Sequence, residues 1–307
     1  MYKIFIDGSA GTTGLRIRER LADRPELELL ILPDELRKDN AARADMLNKS
    51  DISFLCLPDA AAIEAVSLID NPDTVVIDTS TAHRTADGWI YGMPELSGLR
   101  EQLKAATRIA NPGCHASGFI ALVRPLVESG IIKNDSVLSC FSLTGYSGGG
   151  KKMIAEYEEK DRSPLLDAPR IYALPQAHKH LPEMAKLCGL TKEPVFSPIV
   201  APFYSGMEVS VSLTRDIFSG SLDDIKTVYK DYYKTGLIRY DDTAEDGFLS
   251  AAAFSGRDDM VVAAFGNDDR ITLISRFDNL GKGASGAAIQ NMNIRLGLDE
   301  ATGLVIE

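Results

Sequence analysis

Cys114 is the residue best suited to covalent chemistry in this sequence of 307 residues. It follows Asn111-Pro112-Gly113, and an Asn-Pro pair favours a turn. The apolar residues after it recur at helical spacing, namely Phe119, Ile120, Leu122, Val123, Leu126 and Val127. Cys114 is therefore predicted in the first turn of a helix, where unpaired backbone N–H groups favour a thiolate. A small buried structural cysteine is the alternative interpretation.

Two of the four histidines lie in the segment Gln176-Ala-His178-Lys-His180-Leu-Pro-Glu183. Either imidazole could act as a base that activates Cys114, with Glu183 orienting a histidine or binding substrate. Two histidines and a carboxylate could also bind a metal, but no cysteine or third close ligand accompanies them, so we predict no metal site. The residue types leave the choice between His178 and His180 open.

A glycine-rich turn near the start of the chain predicts a dinucleotide site. The turn runs Gly8-Ser9-Ala10-Gly11-Thr12-Thr13-Gly14, directly after the apolar run from Tyr2 to Ile6 and before a helix-like segment. A strand, a glycine turn and a helix in this order can hold a pyrophosphate on backbone N–H groups. The spacing differs from the usual G-x-G-x-x-G, and a plain tight turn is the alternative.

Charged residues after the second predicted strand, Glu28 to Leu32, bear on which dinucleotide binds. Asp34 could accept hydrogen bonds from the ribose hydroxyls of NAD. Arg37 and Lys38 could instead pair with the 2′-phosphate of NADP. A solvated charged loop is the third interpretation, so these residues alone leave the cofactor open.

Further short apolar segments at 52–57, 74–77 and 108–110 alternate with helix-like segments, which predicts a parallel sheet. Ligands bind beyond the carboxyl ends of such strands. Pro58, Ser80, Arg84 and Cys114 all fall at these ends, together with the glycine turn. This convergence favours a functional Cys114 over a structural one.

From about Ser136 the pattern changes to that of an α+β domain. Segments 137–143, 207–213, 260–265 and 271–277 predict strands of a mainly antiparallel sheet, and 221–234 predicts a helix. Thr144 to Lys152 is predicted as a flexible glycine-rich loop whose two lysines suit an anionic group. Asp278 to Asn293 predicts a glycine-rich turn and a helix that packs back against the first domain.

Composition excludes several classes of partner. The net charge is −11 and there is no long basic run, which argues against nucleic acid and against anionic membranes. No apolar run is long enough to span a bilayer, and the N-terminus lacks a signal-peptide pattern. The four cysteines show no paired spacing, which predicts a reduced, cytoplasmic protein.

Together these motifs resemble the N-acetyl-γ-glutamyl-phosphate reductases of arginine biosynthesis, in particular their shorter bacterial subgroup, within the semialdehyde dehydrogenase superfamily. The resemblance covers nearly the whole chain. It rests on segments 8–14, 78–84, 111–114, 144–150, 178–183 and 278–286. Asn-Pro-Gly-Cys is shared with aspartate-semialdehyde dehydrogenases, whereas the histidine segment and the Lys-Gly-Ala-Ser-Gly…Gln-Asn-Met-Asn ending favour the acetylglutamyl enzymes.

The resemblance implies NADPH-dependent reduction of N-acetylglutamyl phosphate, a small acyl phosphate, with release of inorganic phosphate. It implies a thioester on Cys114, with His178 as acid and base. A Rossmann-type NADP(H)-binding domain is expected over 1–113 and 280–307, and a catalytic and dimerisation α+β domain over 114–279, in a homodimer or homotetramer. The expected substrate contacts are Arg84, Ser147, His180 and Glu183. The expected cofactor contacts are Gly8, Ser9, Ala10, Gly11, Thr12, Thr13, Gly14, Arg37, Lys38, Pro58, Ser80, Asn279 and Lys282.

Three other functions fit parts of the sequence. An aspartate-semialdehyde dehydrogenase would use the same chemistry on a shorter substrate. A non-catalytic dinucleotide-binding regulator would keep the fold, but the cysteine, the histidine pair and the Arg84 segment speak against it. A cysteine hydrolase would use the Cys and His residues and leave the glycine turn unexplained.

Overall fold

The computed structural model describes residues 1–306, which divide into two units. The first unit contains Met1–Pro112 and Ala284–Leu304, and the second contains Gly113–Gly283 with Val305 and Ile306. No helix among residues 1–306 is both long enough and apolar enough to cross a membrane.

The first unit is built on a six-stranded parallel sheet, ordered β2-β1-β3-β4-β6-β5. Its strands are β1 (Tyr2–Asp7), β2 (Leu27–Leu30), β3 (Ile52–Leu55), β4 (Val75–Asp78), β5 (Ile90–Tyr91) and β6 (Arg108–Ala110). The helices between them are α1 (Thr12–Leu21), α2 (Asn40–Lys49), α3 (Asp59–Ser67) and α4 (Leu99–Ala105). The predicted Rossmann-type parallel sheet is confirmed.

Both faces of this sheet are buried, which explains the continuous apolar strands. Every residue of β3 and β4 is buried. Successive residues of one strand enter different cores: Phe54 packs in one cluster and Leu55 in another. This two-sided burial is typical of strands covered by helices on both faces.

The second unit is built on a seven-stranded mixed sheet, ordered β11-β12-β13-β10-β7-β9-β8. Its helices are α5 (Cys114–Glu128), α6 (Gly150–Glu158), α7 (Leu181–Cys188) and α8 (Leu222–Tyr232). Its strands are β7 (Ser139–Gly145), β8 (Arg170–Ile171), β9 (Val195–Ala201), β10 (Met207–Thr214), β11 (Ile238–Tyr240), β12 (Met260–Asn267) and β13 (Arg270–Phe277). The pairs β7/β9 and β11/β12 are parallel and the other neighbours are antiparallel, so the predicted mainly antiparallel sheet is confirmed.

Helix α5 lies close against the inner face of this sheet. A Cβ added at Gly118 would lie 2.4 Å from a methyl carbon of Val209 and 2.7 Å from the hydroxyl of Ser275. Helices α7 and α8 pack against α5 on the same side. The sheet and these helices therefore fix the position of the first turn of α5, where Cys114 lies.

The prediction of a flexible loop over 144–152 is wrong. Strand β7 continues to Gly145, a short 3-10 turn covers Tyr146–Gly149, and α6 begins at Gly150. Met153 and Tyr157 are one helical turn apart and both pack in a small apolar cluster with Leu166 and Val200. Burial of this face stabilises a helix that the glycines at and before its start had obscured.

The last helix, α9 (Gly286–Arg295), returns to the first unit and is buried along nearly its whole length. Its amides are paired inside that unit. Asn291 donates to the carbonyl of Gly92 at 2.9 Å, and Asn293 accepts from the guanidinium of Arg24 at 2.8 Å. These bonds satisfy polar groups that would otherwise be costly to bury.

Candidate active site

Cys114 is the first residue of α5, and Gly113 is its N-cap. The Cys114 side chain is half-buried. Backbone N–H groups in the first turn of a helix have no partner within the helix, and the helix dipole adds partial positive charge there. The predicted placement of the cysteine is therefore found, and this placement favours a thiolate.

The other three cysteines lie in surroundings that suppress their reactivity. Burial raises the pKa of the Cys56 thiol to about 12. Burial also raises the pKa values of the Cys140 and Cys188 thiols well above the ordinary range. Cys114 is thus the only cysteine of the described residues that combines an accessible side chain with a helix N-terminus.

Glu183 connects the histidine segment to the turn that carries Cys114. Its carboxylate is almost completely buried, and Oε2 accepts a hydrogen bond from the backbone N–H of Gly113 at 3.3 Å. Its other oxygen, Oε1, lies 3.8 Å from Nε2 of His180. In this arrangement Glu183 holds the N-cap of α5 and faces a buried imidazole.

His178 is the more accessible member of the histidine pair, since it is half-buried whereas His180 is 5% exposed. Nδ1 of His178 accepts a hydrogen bond from the backbone N–H of His180 at 3.2 Å. A neutral imidazole has one protonated and one unprotonated nitrogen. The neutral His178 ring therefore carries its proton on Nε2.

A third imidazole, that of His115, lies in the same cluster, and sequence reasoning missed it. Its ring centroid is 5.8 Å from that of His178 and 5.6 Å from that of His180. Nδ1 is 2.6 Å from the Ser142 hydroxyl and Nε2 is 2.7 Å from the Tyr172 hydroxyl. The signal that could have found it was a histidine on a helix face that is otherwise apolar, because such a side chain needs buried hydrogen-bond partners.

The turn after β13 is organised by the buried carboxylate of Asp278. Oδ1 accepts from the backbone N–H groups of Leu280 and Gly281 at 2.6 and 2.9 Å, and Oδ2 accepts from the Ser205 hydroxyl at 2.8 Å. A Cβ added at Gly283 would lie 3.0 Å from Cβ of Cys114. The turn therefore brings backbone against the cysteine at a position where only a residue without a side chain fits easily.

Asn279, predicted to contact the cofactor, and Ser147, predicted to contact the substrate, are hydrogen-bonded to each other, and both ligand contacts stay predictions. Nδ2 of Asn279 donates to the Ser147 hydroxyl at 3.0 Å, and Oδ1 accepts from the backbone N–H of Gly206 at 2.9 Å. Lys282, also predicted for the cofactor, is buried on the same turn. All of these residues belong to the unit that contains Cys114.

The glycine turn of the first unit has the backbone geometry that a close approach requires. Gly8 has a φ of +87°, and a Cβ there would lie 2.3 Å from the carbonyl oxygen of Cys56. A Cβ at Gly14 would lie 2.5 Å from the carbonyl oxygen of Gly8. The buried hydroxyl of Thr12, at the start of α1, has no hydrogen-bond partner among residues 1–306. A phosphate oxygen at this helix N-terminus would supply that partner.

A cavity of about 230 Å³ begins at this turn and is lined by three cations, Arg18, Arg37 and Lys38. Gly8, Ser9 and Ala10 line it as well, so the cavity brings together predicted cofactor contacts from both segments. Arg37 is 2.5 Å from the carboxylate of Asp34, which is itself mostly exposed. The residues fit a dinucleotide, because the glycine turn suits a pyrophosphate and the cations in the cavity lining suit a further phosphate. Arg18 was missed because it lies on the helix beyond the motif.

The other predicted contacts of the first unit are engaged with neighbouring residues. Pro58 is the N-cap of α3. The Ser80 hydroxyl donates to the buried carboxylate of Asp78 at 2.7 Å. Arg84 donates from Nε to the carbonyl of Asn111 at 3.0 Å and from Nη2 to the carbonyl of Thr79 at 3.1 Å. These contacts show Arg84 as a brace between two loops, and its binding of substrate stays a prediction.

Within residues 1–306, no three side chains from His, Cys, Asp and Glu are arranged to hold a metal ion. The histidine cluster is instead occupied by hydrogen bonds and ring contacts.

Both units match families of known proteins. Residues 3–106 match the family described as "Semialdehyde dehydrogenase, NAD binding domain", and residues 114–279 match "Semialdehyde dehydrogenase, dimerisation domain". The fold is similar to that of aspartate semialdehyde dehydrogenase II from Vibrio cholerae, with a TM-score of 0.74, 16% identity and coverage of 97% of this chain and 98% of that chain. It is also similar to aspartate semialdehyde dehydrogenase from Candida albicans, solved with NADP, with a TM-score of 0.67, 15% identity and coverage of 97% and 100%.

The chain therefore belongs to the semialdehyde dehydrogenases, a class of oxidoreductases that bind a nicotinamide dinucleotide. Much closer relatives define its place in that class. It is 44% identical to N-acetyl-gamma-glutamyl-phosphate reductase 2 of Nostoc sp., covering 98% of this chain and 99% of the relative. It is 44% identical to N-acetyl-gamma-glutamyl-phosphate reductase of Brucella ovis, covering 96% and 99%. Within the class, the chain is a member of the N-acetyl-γ-glutamyl-phosphate reductase family, as its motifs had indicated.

Proposed function

We propose that this protein uses NADPH to reduce N-acetylglutamyl phosphate to N-acetylglutamate semialdehyde and phosphate, through a thioester on Cys114. The observation that carries the proposal is the placement of an accessible cysteine at the start of α5 beside a cluster of imidazoles. The relatives that are 44% identical over nearly their whole length carry the name of this activity, which supports the choice of substrate.

In the first step, the Cys114 thiolate attacks the acyl carbon, a C–S bond forms and the bond to the phosphate oxygen breaks. Backbone N–H groups of the first turn of α5 stabilise the negative charge that develops on the carbonyl oxygen. Glu183 keeps this turn in place through its bond from the Gly113 N–H. Removal of one such oxyanion donor typically costs about 10²–10³-fold in rate.

A nicotinamide dinucleotide held by the glycine turn, Arg37 and Lys38 would supply a hydride to the acyl carbon of the Cys114 thioester, which would become a thiohemiacetal. Cleavage of the C–S bond then releases the aldehyde and regenerates the Cys114 thiolate. The sulfur is a suitable leaving group because its proton is lost more readily than that of an alcohol. Cys114 therefore serves both as nucleophile and as leaving group.

His178 serves this cycle as hydrogen-bond donor and as acid and base. In its neutral form, Nε2–H donates to negative charge on the substrate. Acceptance of the thiol proton at Nε2 requires the other tautomer, in which the 3.2 Å contact from the His180 N–H to Nδ1 is given up. Loss of one such bond costs about 0.5–1.5 kcal/mol, which is small beside a general base's contribution to catalysis.

We also propose NADP(H), rather than NAD(H), as the cofactor of the first unit. Arg37 and Lys38 line the cavity next to the glycine turn, and Arg18 adds a third positive charge there. Three cations suit the 2′-phosphate of NADP better than the ribose hydroxyls of NAD. Asp34, the only acidic candidate from the sequence for the ribose, is ion-paired with Arg37.

A homodimer or homotetramer is proposed to form through the outer face of the mixed sheet, opposite α5. Phe141, Ile171 and Val195 project from β7, β8 and β9 and are each about half exposed. Large apolar side chains grouped on one sheet face are typical of a subunit interface. The family to which residues 114–279 belong is described as a dimerisation domain, so a second copy of this chain is the partner that we propose for this face.

We also propose a cytoplasmic location. All four cysteines are free thiols, which suits a reducing compartment such as the cytoplasm.

The function is tested by the reverse reaction. The purified protein is incubated with N-acetylglutamate semialdehyde, phosphate and NADP⁺, and NADPH is followed by absorbance. We expect phosphate-dependent turnover that is absent with the Cys114→Ser variant. Aspartate semialdehyde and NAD⁺ are the matched alternatives. Faster turnover of aspartate semialdehyde, or no turnover of the acetylglutamyl substrate, would reject the proposal.

A further inference from the structure

We propose that His115 is a positioning residue for the reaction: it holds the Tyr172 hydroxyl, and the His115 and Tyr172 rings together hold His178 in place for Cys114. This inference rests on the function proposed above. His115 itself has no role in the chemical steps derived from Cys114 and His178.

The first observation is that His115 uses both of its ring nitrogens inside the protein. Nδ1 contacts the Ser142 hydroxyl at 2.6 Å and Nε2 contacts the Tyr172 hydroxyl at 2.7 Å. The side chain is 3% exposed and lies on α5, directly after the cysteine. The ring extends from the helix that carries the nucleophile, and its two nitrogens are held by Ser142 of β7 and by Tyr172, which follows β8.

The second observation concerns the surroundings of the His178 ring. His115 meets it edge to face at a centroid distance of 5.8 Å, and Tyr172 meets it at 6.0 Å. Phe196 lies at 5.1 Å and His180 at 4.6 Å. His178 is thus enclosed by rings, and two of those rings are joined by the His115–Tyr172 hydrogen bond.

Electrostatics favour a neutral His115 in this cluster. Burial, and next the charge of His178, lower the pKa of His115 to about 3. Burial, and next the charge of Cys114, raise the pKa of Tyr172. The titratable groups around His115 are Cys114 on its own helix, Tyr172, His178 and His180, with Glu183 of α7 facing His180. At neutral pH His115 and Tyr172 therefore stay uncharged.

The backbone of the loop supports the same assignment. Tyr172 donates from its N–H to the carbonyl of Pro198 at 3.0 Å. The Gln176 side chain binds both backbone groups of Phe196, each at 2.8 Å. These bonds fix two residues of segment 172–180, which connects β8 to α7, on β9, and the hydrogen bond from Tyr172 to His115 links the same segment to α5. The orientation of His178 is therefore set by side-chain contacts as well as by the backbone.

The test compares two substitutions that each keep one of the two hydrogen bonds of His115. Asparagine places its amide near the position of Nδ1 and can keep the bond to Ser142, whereas glutamine reaches the position of Nε2 and can keep the bond to Tyr172. Tyr172→Phe removes the same bond from the other side and keeps the ring. Tyr233→Phe is the matched control, because the Tyr233 hydroxyl also donates to α5, at the Ala121 carbonyl, 2.8 Å away.

Two measurements are made on each variant: kcat and KM of the semialdehyde oxidation, and the pH at which Cys114 is half-maximally alkylated by iodoacetamide. For His115→Asn and Tyr172→Phe we expect kcat to fall about tenfold, the effect of losing one hydrogen bond, with little change in KM. The midpoint of alkylation should move to higher pH in both, since a displaced His178 stabilises the thiolate less. The double variant His115→Asn/Tyr172→Phe should have about the same kcat as either single variant, because both substitutions remove the same hydrogen bond.

His115→Gln should stay within about threefold of the wild type, and Tyr233→Phe should not move the alkylation midpoint. Equal effects of His115→Asn and His115→Gln, or an unmoved midpoint in Tyr172→Phe, would overturn the positioning role. Tyr172→Phe decides the matter if a His115 variant does not fold. An inactive wild type would reject the proposed function, whereas the alkylation profiles would still test the positioning.

Discussion

The carboxylate of Glu183 accepts a hydrogen bond from the backbone N–H of Gly113, with 3.3 Å between the two atoms. Glu183 is in the first turn of α7, and Gly113 is the N-cap of α5. Two helix starts are therefore joined by one buried bond, immediately before the nucleophile. The second carboxylate oxygen faces His180, so the same residue also links the histidine segment to this turn.

Two substitutions of Glu183 distinguish the contribution of its hydrogen bond from that of its negative charge. Glu183→Gln keeps an oxygen that can accept from the Gly113 N–H, whereas Glu183→Leu removes it. A buried donor without a partner costs about 1–3 kcal/mol. We expect urea unfolding to show a free energy of unfolding about 2 kcal/mol lower for the leucine variant than for the glutamine variant. Equal stabilities would mean that the bond is not significant in solution.

Alkylation should select one cysteine. Cys114 is accessible at a helix start, whereas burial raises the thiol pKa values of Cys56, Cys140 and Cys188. At about pH 8, substoichiometric iodoacetamide should modify Cys114 first and stop turnover in proportion, as read by peptide mass spectrometry. Cys114→Ser should abolish turnover and still bind NADPH, as followed by protein fluorescence. Near-normal turnover of that variant would exclude the thioester mechanism.

The two histidines of the segment should differ in their effect. His178→Ala should lower kcat by roughly 10²–10⁴, the range for a lost general acid or base. His180→Ala removes a buried ring beside Glu183, so its main expected effect is lower stability. The comparison of kcat and the free energy of unfolding for both variants separates the roles. A large loss of kcat in His180→Ala alone would reverse the assignment.

The cavity cations should determine the cofactor preference. A charge-assisted hydrogen bond is worth about 1.5–3 kcal/mol, so loss of the Arg37 guanidinium should lower kcat/KM for NADPH about 10–100-fold. NADH lacks the 2′-phosphate and its kcat/KM should change little. Lys104→Ala removes an exposed charge of the same unit, ion-paired with Glu101, and is the control. A similar loss with both cofactors in Arg37→Ala would place Arg37 away from the 2′-phosphate.

His115 should make the protein less stable in mild acid. Its pKa is about 3 in the folded state, because burial and the charge of His178 disfavour the imidazolium. In the unfolded state it takes up a proton near pH 6.5, so the unfolded state binds more protons between these values. The stability contribution is complete above about pH 6.5 and is lost as the pH falls towards 3. Between pH 7 and pH 5 the loss from this group should be about 2 kcal/mol.

The measurement is the free energy of unfolding in urea at the two pH values, for the wild type and for His115→Gln. Glutamine does not titrate, so the variant should lose about 2 kcal/mol less than the wild type over this interval. An identical pH dependence in both proteins would show that His115 is not buried in its neutral form.

The parallel sheet, the nucleophile helix and the mainly antiparallel second sheet could all be predicted, because each depends on local periodicity. The apolar strands β3 and β4 and the helical spacing after Cys114 are properties of consecutive residues. Residues 144–152 misled the prediction, since four glycines suggested a loop. What made α6 a helix was burial of Met153 and Tyr157 against Leu166 and Val200, from other segments.

For the candidate active site too, some features could be predicted from the sequence and others depend on the tertiary structure. The sequence by itself determined which residues have the chemistry: a cysteine at a helix start, a histidine pair with a carboxylate, and a glycine turn after a strand. Only the tertiary structure decided how they are used. It joined Asn279 to Ser147, turned Arg84 towards backbone carbonyls, and brought His115 next to His178. The physical reason is that hydrogen bonds and ring contacts depend on distances across the fold, and residue types and spacing along the chain do not specify those distances.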